Sequence, residues 1–186
     1  MSEADAVFEN MKSRRVVREF TTRRIDDETL FKIAQSGRFA ASGGNLRPHR
    51  FLIIRDSQRI RHVRSFSPGM LGKPAAIIAI LIDHEQYQRQ WRSIDPSTIV
   101  HVDVGTAAQN MLNMAHALGL GSCPVTSFSR SGAREALGLP AHISVELLII
   151  LGHPEGGQRK VNPNAPKPVT TKELTSWETF GNHDPD

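Results

Sequence analysis

Five arginines near the start of the chain are the first residues whose type and spacing could do chemistry: Arg14, Arg15, Arg18, Arg23 and Arg24. A guanidinium carries a rigid fork of N–H donors that matches the oxygens of a phosphate group, so the cluster could anchor a phosphorylated ligand. A run of charges is also the usual pattern of a solvated helix face. The residues alone therefore allow either a phosphate site or a basic surface.

Two glycine-containing segments could bring backbone groups close to a planar ligand. Residues 41–49 read ASGGNLRPH and are too rich in glycine and proline for regular structure, but they could place an amide side chain and backbone groups against a ring. Residues 118–128 form a glycine-punctuated turn from a helix into a strand, which could present backbone N–H groups. Neither segment identifies a ligand by itself.

Several motifs with a defined chemistry are absent from the sequence, among them GxGxxG, the P-loop pattern, HExxH, paired CxxC and the GxSxG elbow. Cys123 could act as a nucleophile, but a single cysteine beside an apolar strand more often packs in a core. His84, His101, Asp103 and His116 show no recurrent metal-ligand spacing. We therefore predict no metal site and favour a core role for Cys123.

Composition places the chain among ordinary globular proteins. Its 186 residues suffice for one domain, and 39% hydrophobic against 23% charged residues is typical of a folded protein. No apolar run approaches the ~20 residues that cross a bilayer, so no membrane segment is expected. A net charge of +4, with one tyrosine and two tryptophans, argues against nucleic-acid binding. The acidic N-terminus and single cysteine indicate a cytoplasmic protein without a disulfide.

Hydrophobic periodicity predicts five helices that would position these segments. Asp26 is the expected N-cap of the second helix, with Gly37 near its end, and Gly119 is the expected C-cap of the longest helix. The longest helix carries a wide stripe of small residues, which suggests that another element packs closely over it. The predicted helices span residues 3–17, 26 to about 37, 102–118, 129–137 and 170–180.

Four apolar runs predict the strands of one sheet, at residues 50–55, 75–82, 122–126 and 145–151. The second run, AAIIAILI, is apolar on both faces and is therefore expected at the centre of the sheet. Strands and helices do not alternate in a regular βαβ pattern, which favours an α+β fold with helices against the sheet. No linker or repeat divides the chain, so a single domain spanning residues 1–186 is expected.

Taken in order, four segments between about residues 11 and 180 resemble those of the FMN-dependent nitroreductase family. SRRVVREF, from residue 13, is similar to the family's opening Arg-Arg-Ser-x-Arg-x-Phe, and ASGGNLRPHRF, from residue 41, to its A-P-S-x-x-N-x-Q-P-W-x-F loop. The third segment, from Asp103 through AAQNMLNMAHALGLGSCPV, resembles the long central helix with its LGLG exit. LGHP, from residue 151, with the proline-rich tail after it, is similar to the L-G-[YH]-P ending. The chain departs from the family pattern at Val16, Arg47 and His49, where Ser, Gln and Trp are usual. The last two departures make the expected ring pocket more basic.

The resemblance implies a nitroreductase-like α+β fold with a mixed or antiparallel sheet. It also implies a homodimer with two FMN molecules, each at the interface and touched by both chains. Arg14, Arg15 and Arg18 would hold the FMN phosphate and ribityl chain, with Lys167 approaching the phosphate from the C-terminal tail. That tail, residues 152–186, is expected to extend over the dimer partner.

The resemblance assigns the flavin ring to two further groups of residues. In the flavin's own chain, a backbone N–H, expected to be that of Thr126, would reach flavin N5. The residues that run along the ring in that chain are Pro124, Val125, Thr126 and Ser127. Those that line it from the second subunit are Ser42, Gly43 and Asn45.

An enzyme of this kind passes electrons from NADH or NADPH to a small acceptor, such as a nitroaromatic compound or a quinone, in a ping-pong cycle. Flavin carries the hydride chemistry and the protein supplies orientation and charge, so no catalytic side chain is expected. Three alternatives stay open. They are a flavin-binding storage protein, a family relative that dehydrogenates, dehalogenates or fragments its substrate, and a nucleic-acid binder that uses the arginine cluster.

Overall fold

The computed structural model describes residues 1–90, 96–156 and 169–183 of the chain. The chain divides into two compact units, Met1–Glu155 and Gly156–Asp186. Among the described residues, the larger unit contains four strands and six α-helices, and the smaller unit contains one short α-helix. A single domain with a tail over the partner stays a prediction.

One antiparallel sheet organises the larger unit. It consists of β1 (His49–Ile54), β2 (Ala76–Asp83), β3 (Gly121–Val125) and β4 (Ile143–Gly152), in the order β1-β2-β4-β3. β2 has a partner strand on each side and is buried except at its last residue, which explains why its sequence is apolar on both faces. The prediction of a central second strand is confirmed, and so is an α+β fold whose sheet is antiparallel.

Helices cover both faces of this sheet. α2 (Asp27–Arg38) and α5 (Pro96–Ala117) contribute to the core on one face, and α3 (Ser57–Ser65) and α6 (Arg130–Ala136) to the core on the other. Successive side chains of a strand point to opposite faces, so β2 contributes alternate side chains to the two cores. Its residues in the first core are Ala76, Ile78, Ile80 and Ile82, and those in the second are Ile77, Ala79 and Leu81.

The first helix, α1 (Glu3–Ser13), is shorter than the predicted helix over residues 3–17. Residues 14–20 leave the helix and extend along the edge of the sheet, where the Val17 N–H donates to the Ser122 carbonyl at 2.9 Å. Periodicity within a short window does not reveal this pairing, because its two partners lie far apart in the sequence. The predicted first helix is therefore corrected at its C-terminal end.

The two long helices of the first core carry the caps that the sequence predicts. Asp26 caps α2 with a carboxylate that accepts from the Thr29 N–H at 2.7 Å. α5 is terminated by Gly119, whose φ of 72° is left-handed, and the Leu120 N–H then donates to the Ala115 carbonyl at 2.9 Å. The Gly119 cap therefore fixes where α5 ends and the chain turns into β3.

Two helices form where the sequence pattern predicts none, α3 and α4 (His84–Gln90). α3 buries only Ile60 and Val63, and two apolar positions are too few to show a helical period. α5 begins at Pro96 rather than at the predicted residue 102. No helix in the described ranges, α5 included, is long and apolar enough to span a bilayer.

The smaller unit contains α7 (Thr171–Leu174), which begins at a capping box between Thr170 and Glu173. The predicted helix over residues 170–180 is therefore too long. Glu178 has a φ of 57°, which is a left-handed conformation that an α-helix does not contain. The chain turns there instead of continuing as a helix.

Candidate functional site

The arginine segment (residues 14–20) lies along the edge strand of the sheet. Val16 forms a parallel bridge with Ser122 in β3, and the Val17 N–H donates to the Ser122 carbonyl at 2.9 Å. Farther along, Phe20 bridges to Pro154 just after β4. This pairing places the arginines that were predicted to bind phosphate beside the strand that leads into the predicted ring-lining residues.

Arg14 is half-buried, and its Nε and Nη1 atoms are buried without a hydrogen-bond partner among the described residues. Its backbone N–H is occupied, because it donates to the Asn10 carbonyl at 3.2 Å where α1 ends. A buried charge that lacks an acceptor is unfavourable, so buried charged groups are normally paired. The oxygens of an anionic ligand would supply the missing acceptors.

Arg15 and Arg18 are exposed and have different surroundings. The Arg15 Nη1 donates to the carbonyls of Lys12 and Arg14 at 2.5 and 2.8 Å, so this side chain satisfies acceptors at the end of α1. Arg18 lies close to Cys123, and burial raises the pKa of that thiol although the charge of Arg18 opposes the shift. A buried thiol with a raised pKa is a poor nucleophile, which agrees with a core role for Cys123.

The residues that were predicted to line a ring leave the sheet at the end of β3. Val125 is buried and pairs with β4, so it can offer only backbone groups to a ligand, and Pro124 is half-buried. Thr126 and Ser127 are exposed, and the Ser127 carbonyl accepts from the Gly69 N–H at 3.0 Å. The segment is thus fixed by the sheet on one side and by Gly69 on the other.

The 42–45 loop (residues 42–45) is held against the N-terminal half of α5. The Gly43 N–H donates to Asp103 Oδ1 at 2.9 Å, and the Thr106 Oγ1 donates to the Ala41 carbonyl at 3.0 Å. A single 3-10 turn occupies the loop, where the sequence predicts no regular structure. Two hydrogen bonds from one helix therefore set the position of this loop.

Asp103 positions the 42–45 loop, a role that the sequence does not predict, since there Asp103 is a possible metal ligand and the start of the central-helix segment. Its side chain is 3% exposed, and it lies four and eight residues before Ala107 and Met111, which are fully buried on the same stripe of α5. A carboxylate on a buried stripe must have a polar partner. An aspartate on the otherwise apolar stripe of the predicted helix is therefore the signal in the sequence that could have identified this role.

Within one chain, α5 separates the 42–45 loop from the arginine segment. The loop contacts Asp103, whereas Ser13, next to the arginine segment, contacts His116, with Oγ and Nε2 2.9 Å apart. From Asp103 to His116 the helix rises about 20 Å at ~1.5 Å per residue. The chain therefore brings the arginine segment beside Ser122 and Cys123 of β3 but leaves the loop elsewhere. Lys167 lies outside the described residues.

His49 is half-buried beside the loop, and its ring stacks on Phe51 with a centroid distance of 6.0 Å. Burial lowers the pKa of His49, and the nearby Asp103 carboxylate opposes that shift only in part. Its Nε2 atom is buried and has no hydrogen-bond partner in the described part of the chain. The imidazole is therefore held in its neutral form at neutral pH.

Replacing His49 with phenylalanine is expected to make the free energy of unfolding less sensitive to acid. The pKa of the folded His49 lies below that of an unfolded histidine, at ~6.5, so the unfolded chain takes up a proton first as pH falls. Wild-type stability is then lost as pH falls through that range, and His49→Phe removes this loss while keeping a ring against Phe51. Urea unfolding above and below that pH measures the difference. An unchanged pH dependence would contradict the buried neutral histidine.

Comparison with known proteins covers most of the chain. The nitroreductase family model matches residues 11–68 and 61–153. A protein of Archaeoglobus fulgidus assigned as an NADH dehydrogenase/NAD(P)H nitroreductase is 31% identical over 149 residues, which cover 77% of this chain and 82% of that relative. The NADPH-flavin oxidoreductase of Vibrio harveyi is 29% identical over 175 residues, which cover 89% of this chain and 72% of that protein.

A solved structure shares the fold. It is the FMN-dependent nitroreductase of Clostridium difficile R20291, which superposes with a TM-score of 0.76 at 22% identity and covers 93% of this chain and 99% of its own. The family match includes the arginine segment, the 42–45 loop and β3. The chain therefore belongs to the nitroreductase family and is an oxidoreductase of that family.

Proposed function

We propose that this oxidoreductase binds FMN and passes electrons from NADH or NADPH to a small acceptor, such as a nitroaromatic compound or a quinone. One observation carries the proposal: the half-buried Arg14 has donors without acceptors beside β3, where an anion would complete the site. Among phosphorylated ligands, FMN is favoured because relatives of this fold are named as a flavin oxidoreductase and an FMN-dependent nitroreductase.

The arginine segment would hold the phosphate and ribityl chain of FMN. Arg14 would bind phosphate oxygens through the donors that lack partners, in the forked geometry that suits a guanidinium. Arg15 is fixed to the end of α1 by one nitrogen, and its other donors would be available to the ligand. Arg18 is exposed and would add positive charge beside them, and Lys167 is proposed as a further phosphate ligand.

Two backbone segments would hold the flavin ring. Residues 124–127 would lie along it, because the sheet and Gly69 fix their backbone while Thr126 stays exposed, and the Thr126 N–H would approach N5. The 42–45 loop would contact the same ring from a partner subunit, with Ser42, Gly43 and Asn45. This assignment is supported by the loop's place against the N-terminal half of α5, away from the C-terminal half that adjoins the arginine segment of the same chain.

The chemistry that bound FMN supplies is acceptance of a hydride from a reduced nicotinamide and donation of electrons to an acceptor. The residues of the chain would bind and orient: Arg14 holds the phosphate, and residues 124–127 fix the ring. Cys123 would remain a thiol, because burial raises its pKa, and it would not act as a nucleophile. One cleft would receive the nicotinamide and the acceptor in turn, which is a ping-pong order.

The apolar stripe of α1 supports the proposed homodimer. The stripe has the spacing of a core-facing helix, yet α1 has no buried residue, and its large apolar side chains are 55%, 63% and 52% exposed at Val7, Phe8 and Met11. Adjacent exposed apolar side chains mark an interaction surface. We propose that a second copy of the chain covers this stripe. α1 leads directly into the arginine segment, so the interface would adjoin the flavin site.

Phe8→Glu is expected to convert the dimer into a monomer and to lower the bound FMN with it. A carboxylate buried in an apolar interface loses its hydration and gains no partner. Glu9→Gln is the matched control, because Glu9 is paired with Lys12 at 3.2 Å on an exposed face of the same helix. Light scattering gives the mass and visible absorbance the bound flavin. A Phe8→Glu protein that stays dimeric with full flavin would remove α1 from the interface.

Two further features stay proposals. Residues 152–186 would form one domain with the rest of the chain and lie over the partner subunit, since residues 152–168 are rich in proline and glycine and cannot form a core alone. The location would be cytoplasmic, because the single cysteine, Cys123, is a buried free thiol, as in a reducing compartment.

Steady-state oxidation of NADH and NADPH, with a quinone and with a nitroarene as acceptors, tests the proposed activity. We expect turnover that requires bound FMN and gives parallel lines in double-reciprocal plots. The apo-protein and free FMN at the same concentration are the controls. A storage protein would bind FMN yet oxidise the nicotinamide no faster than free FMN, and that result would contradict the enzyme proposal.

A further inference from the structure

Arg47 has a backbone conformation that a residue with a Cβ atom rarely adopts. Its φ is 50°, and nearby Gly44 and Asn45 have φ values of 56° and 57°. Glycine and asparagine tolerate this left-handed region, whereas a long side chain such as arginine is disfavoured there. Strained residues of this kind persist where their surroundings hold them, and they cluster at ligand sites.

Two hydrogen bonds tie Arg47 to residues that the proposed function places on the flavin. The Arg47 Nε donates to Asn45 Oδ1 at 2.9 Å, and the Arg47 backbone N–H donates to Ser42 Oγ at 3.3 Å. Its side chain is exposed, and its Nη1 and Nη2 groups make no hydrogen bond or ion pair with any other described residue. The loop therefore holds the guanidinium at Nε and leaves its Nη1 and Nη2 groups available to a ligand.

Two charged residues adjoin the 42–45 loop, Arg50 in the sequence and Asp103 by contact, and each already has a partner. Arg50 is paired with Asp83, with Nη2 and Oδ2 3.0 Å apart. Asp103 is buried beneath the 42–45 loop, where its carboxylate accepts from Gly43. Within the described ranges no carboxylate pairs with Arg47, so this residue presents a positive charge at the surface of the loop.

We propose that Arg47 makes the enzyme select electron acceptors that carry a carboxylate. Two Nη groups on one plane can bind a carboxylate through parallel hydrogen bonds, which a neutral acceptor cannot form. This inference rests on the proposed function, because the 42–45 loop must lie over the flavin for Arg47 to reach the acceptor. The substrate class is then an aromatic or quinoid acceptor with an anionic substituent.

Two nitroarenes of similar size test this selection, 4-nitrobenzoate as the anion and 4-nitrobenzyl alcohol as the neutral analogue. The wild-type holoenzyme is expected to favour nitrobenzoate by about tenfold in kcat/KM, the effect of one charge-assisted contact at an exposed site. Arg47→Gln should abolish the preference by lowering kcat/KM for nitrobenzoate alone. Arg47→Lys should keep part of it, since lysine retains the charge without the fork. Arg61→Gln, which removes an exposed arginine of α3, is the control that should keep the wild-type ratio.

A binding measurement separates recognition from turnover. Calorimetric titration of the oxidised holoenzyme should show that benzoate binds more tightly than benzyl alcohol in the wild type, and that Arg47→Gln removes this difference. The wild-type difference should shrink as salt is added, because the contact is exposed to solvent. Thermal unfolding of each variant shows whether the fold is intact.

The proposal is overturned if Arg47→Gln keeps the wild-type ratio between the two acceptors. It is also overturned if the substitution raises KM for NADPH but not for NADH while the acceptor ratio is unchanged, because Arg47 would then bind the 2′-phosphate of the nicotinamide cofactor. Failure of the proposed function has a different signature. None of the proteins would then oxidise NADH or NADPH with either acceptor, and this result would contradict the selection inferred for Arg47 as well.

Discussion

Replacing Arg14 with alanine is expected to weaken FMN binding by about 10- to 100-fold, because charge-assisted hydrogen bonds to the phosphate are lost at about 1.5–3 kcal/mol. The apo-protein should lose little stability, since the Arg14 Nε and Nη1 atoms have no hydrogen-bond partner among the described residues. A fluorescence titration of the apo-protein with FMN gives the dissociation constant. Urea unfolding of the same apo-protein gives the free energy of unfolding.

Arg23→Ala is the matched control for this experiment. Arg23 belongs to the same run of arginines, but its side chain is exposed and makes no ion pair within the described residues. It is expected to keep the wild-type affinity for FMN. Equal losses in the two variants would show that general positive charge, rather than the buried guanidinium, holds the phosphate.

Replacing Gly72 with alanine is expected to lower the free energy of unfolding by about 2–5 kcal/mol, combining a left-handed backbone with overpacking. Gly72 has a φ of 76°, and a Cβ atom there would overlap the carbonyl oxygen of Arg18. The arginine segment would have to move to make room. FMN affinity should therefore fall together with stability, although Gly72 itself is not proposed to touch the flavin.

Gly138→Ala isolates the backbone contribution to this effect. Gly138 also has a left-handed φ, of 64°, but a Cβ atom built on it meets nothing within 4 Å. The control should lose about 1–2 kcal/mol from backbone strain alone and keep its affinity for FMN. If the two alanine variants lose the same free energy of unfolding and bind FMN equally, that result would contradict a close approach of Gly72 to Arg18.

The sheet and the longest helix could be predicted because their burial imposes a pattern on every residue. β2 is buried along nearly its whole length, so an unbroken apolar run marks it, and Gly119 ends α5 because it accepts a left-handed backbone. The end of α1 could not be predicted in the same way. It depends on the pairing of Val17 with Ser122, which local periodicity does not report.

The candidate site was predictable in residue type but not in the role of each residue. The sequence presents several equivalent arginines, and only the folded chain distinguishes the half-buried Arg14 from the exposed Arg15 and Arg18. The loop was identified from its glycines and Asn45, whereas its attachment to Asp103 required the packing of α5. Tertiary contacts, rather than local pattern, therefore distinguish the arginine that we propose as a phosphate ligand from a solvated charge.

The visible absorbance spectrum of the purified protein, saturated with FMN and freed of unbound flavin, tests the central claim most directly. We predict about one FMN per chain and a cofactor that, when released by heat, runs as FMN and not as FAD, because nothing in the sequence resembles an adenine-binding module. A colourless protein that does not retain added FMN would contradict the claim that this chain carries a flavin site.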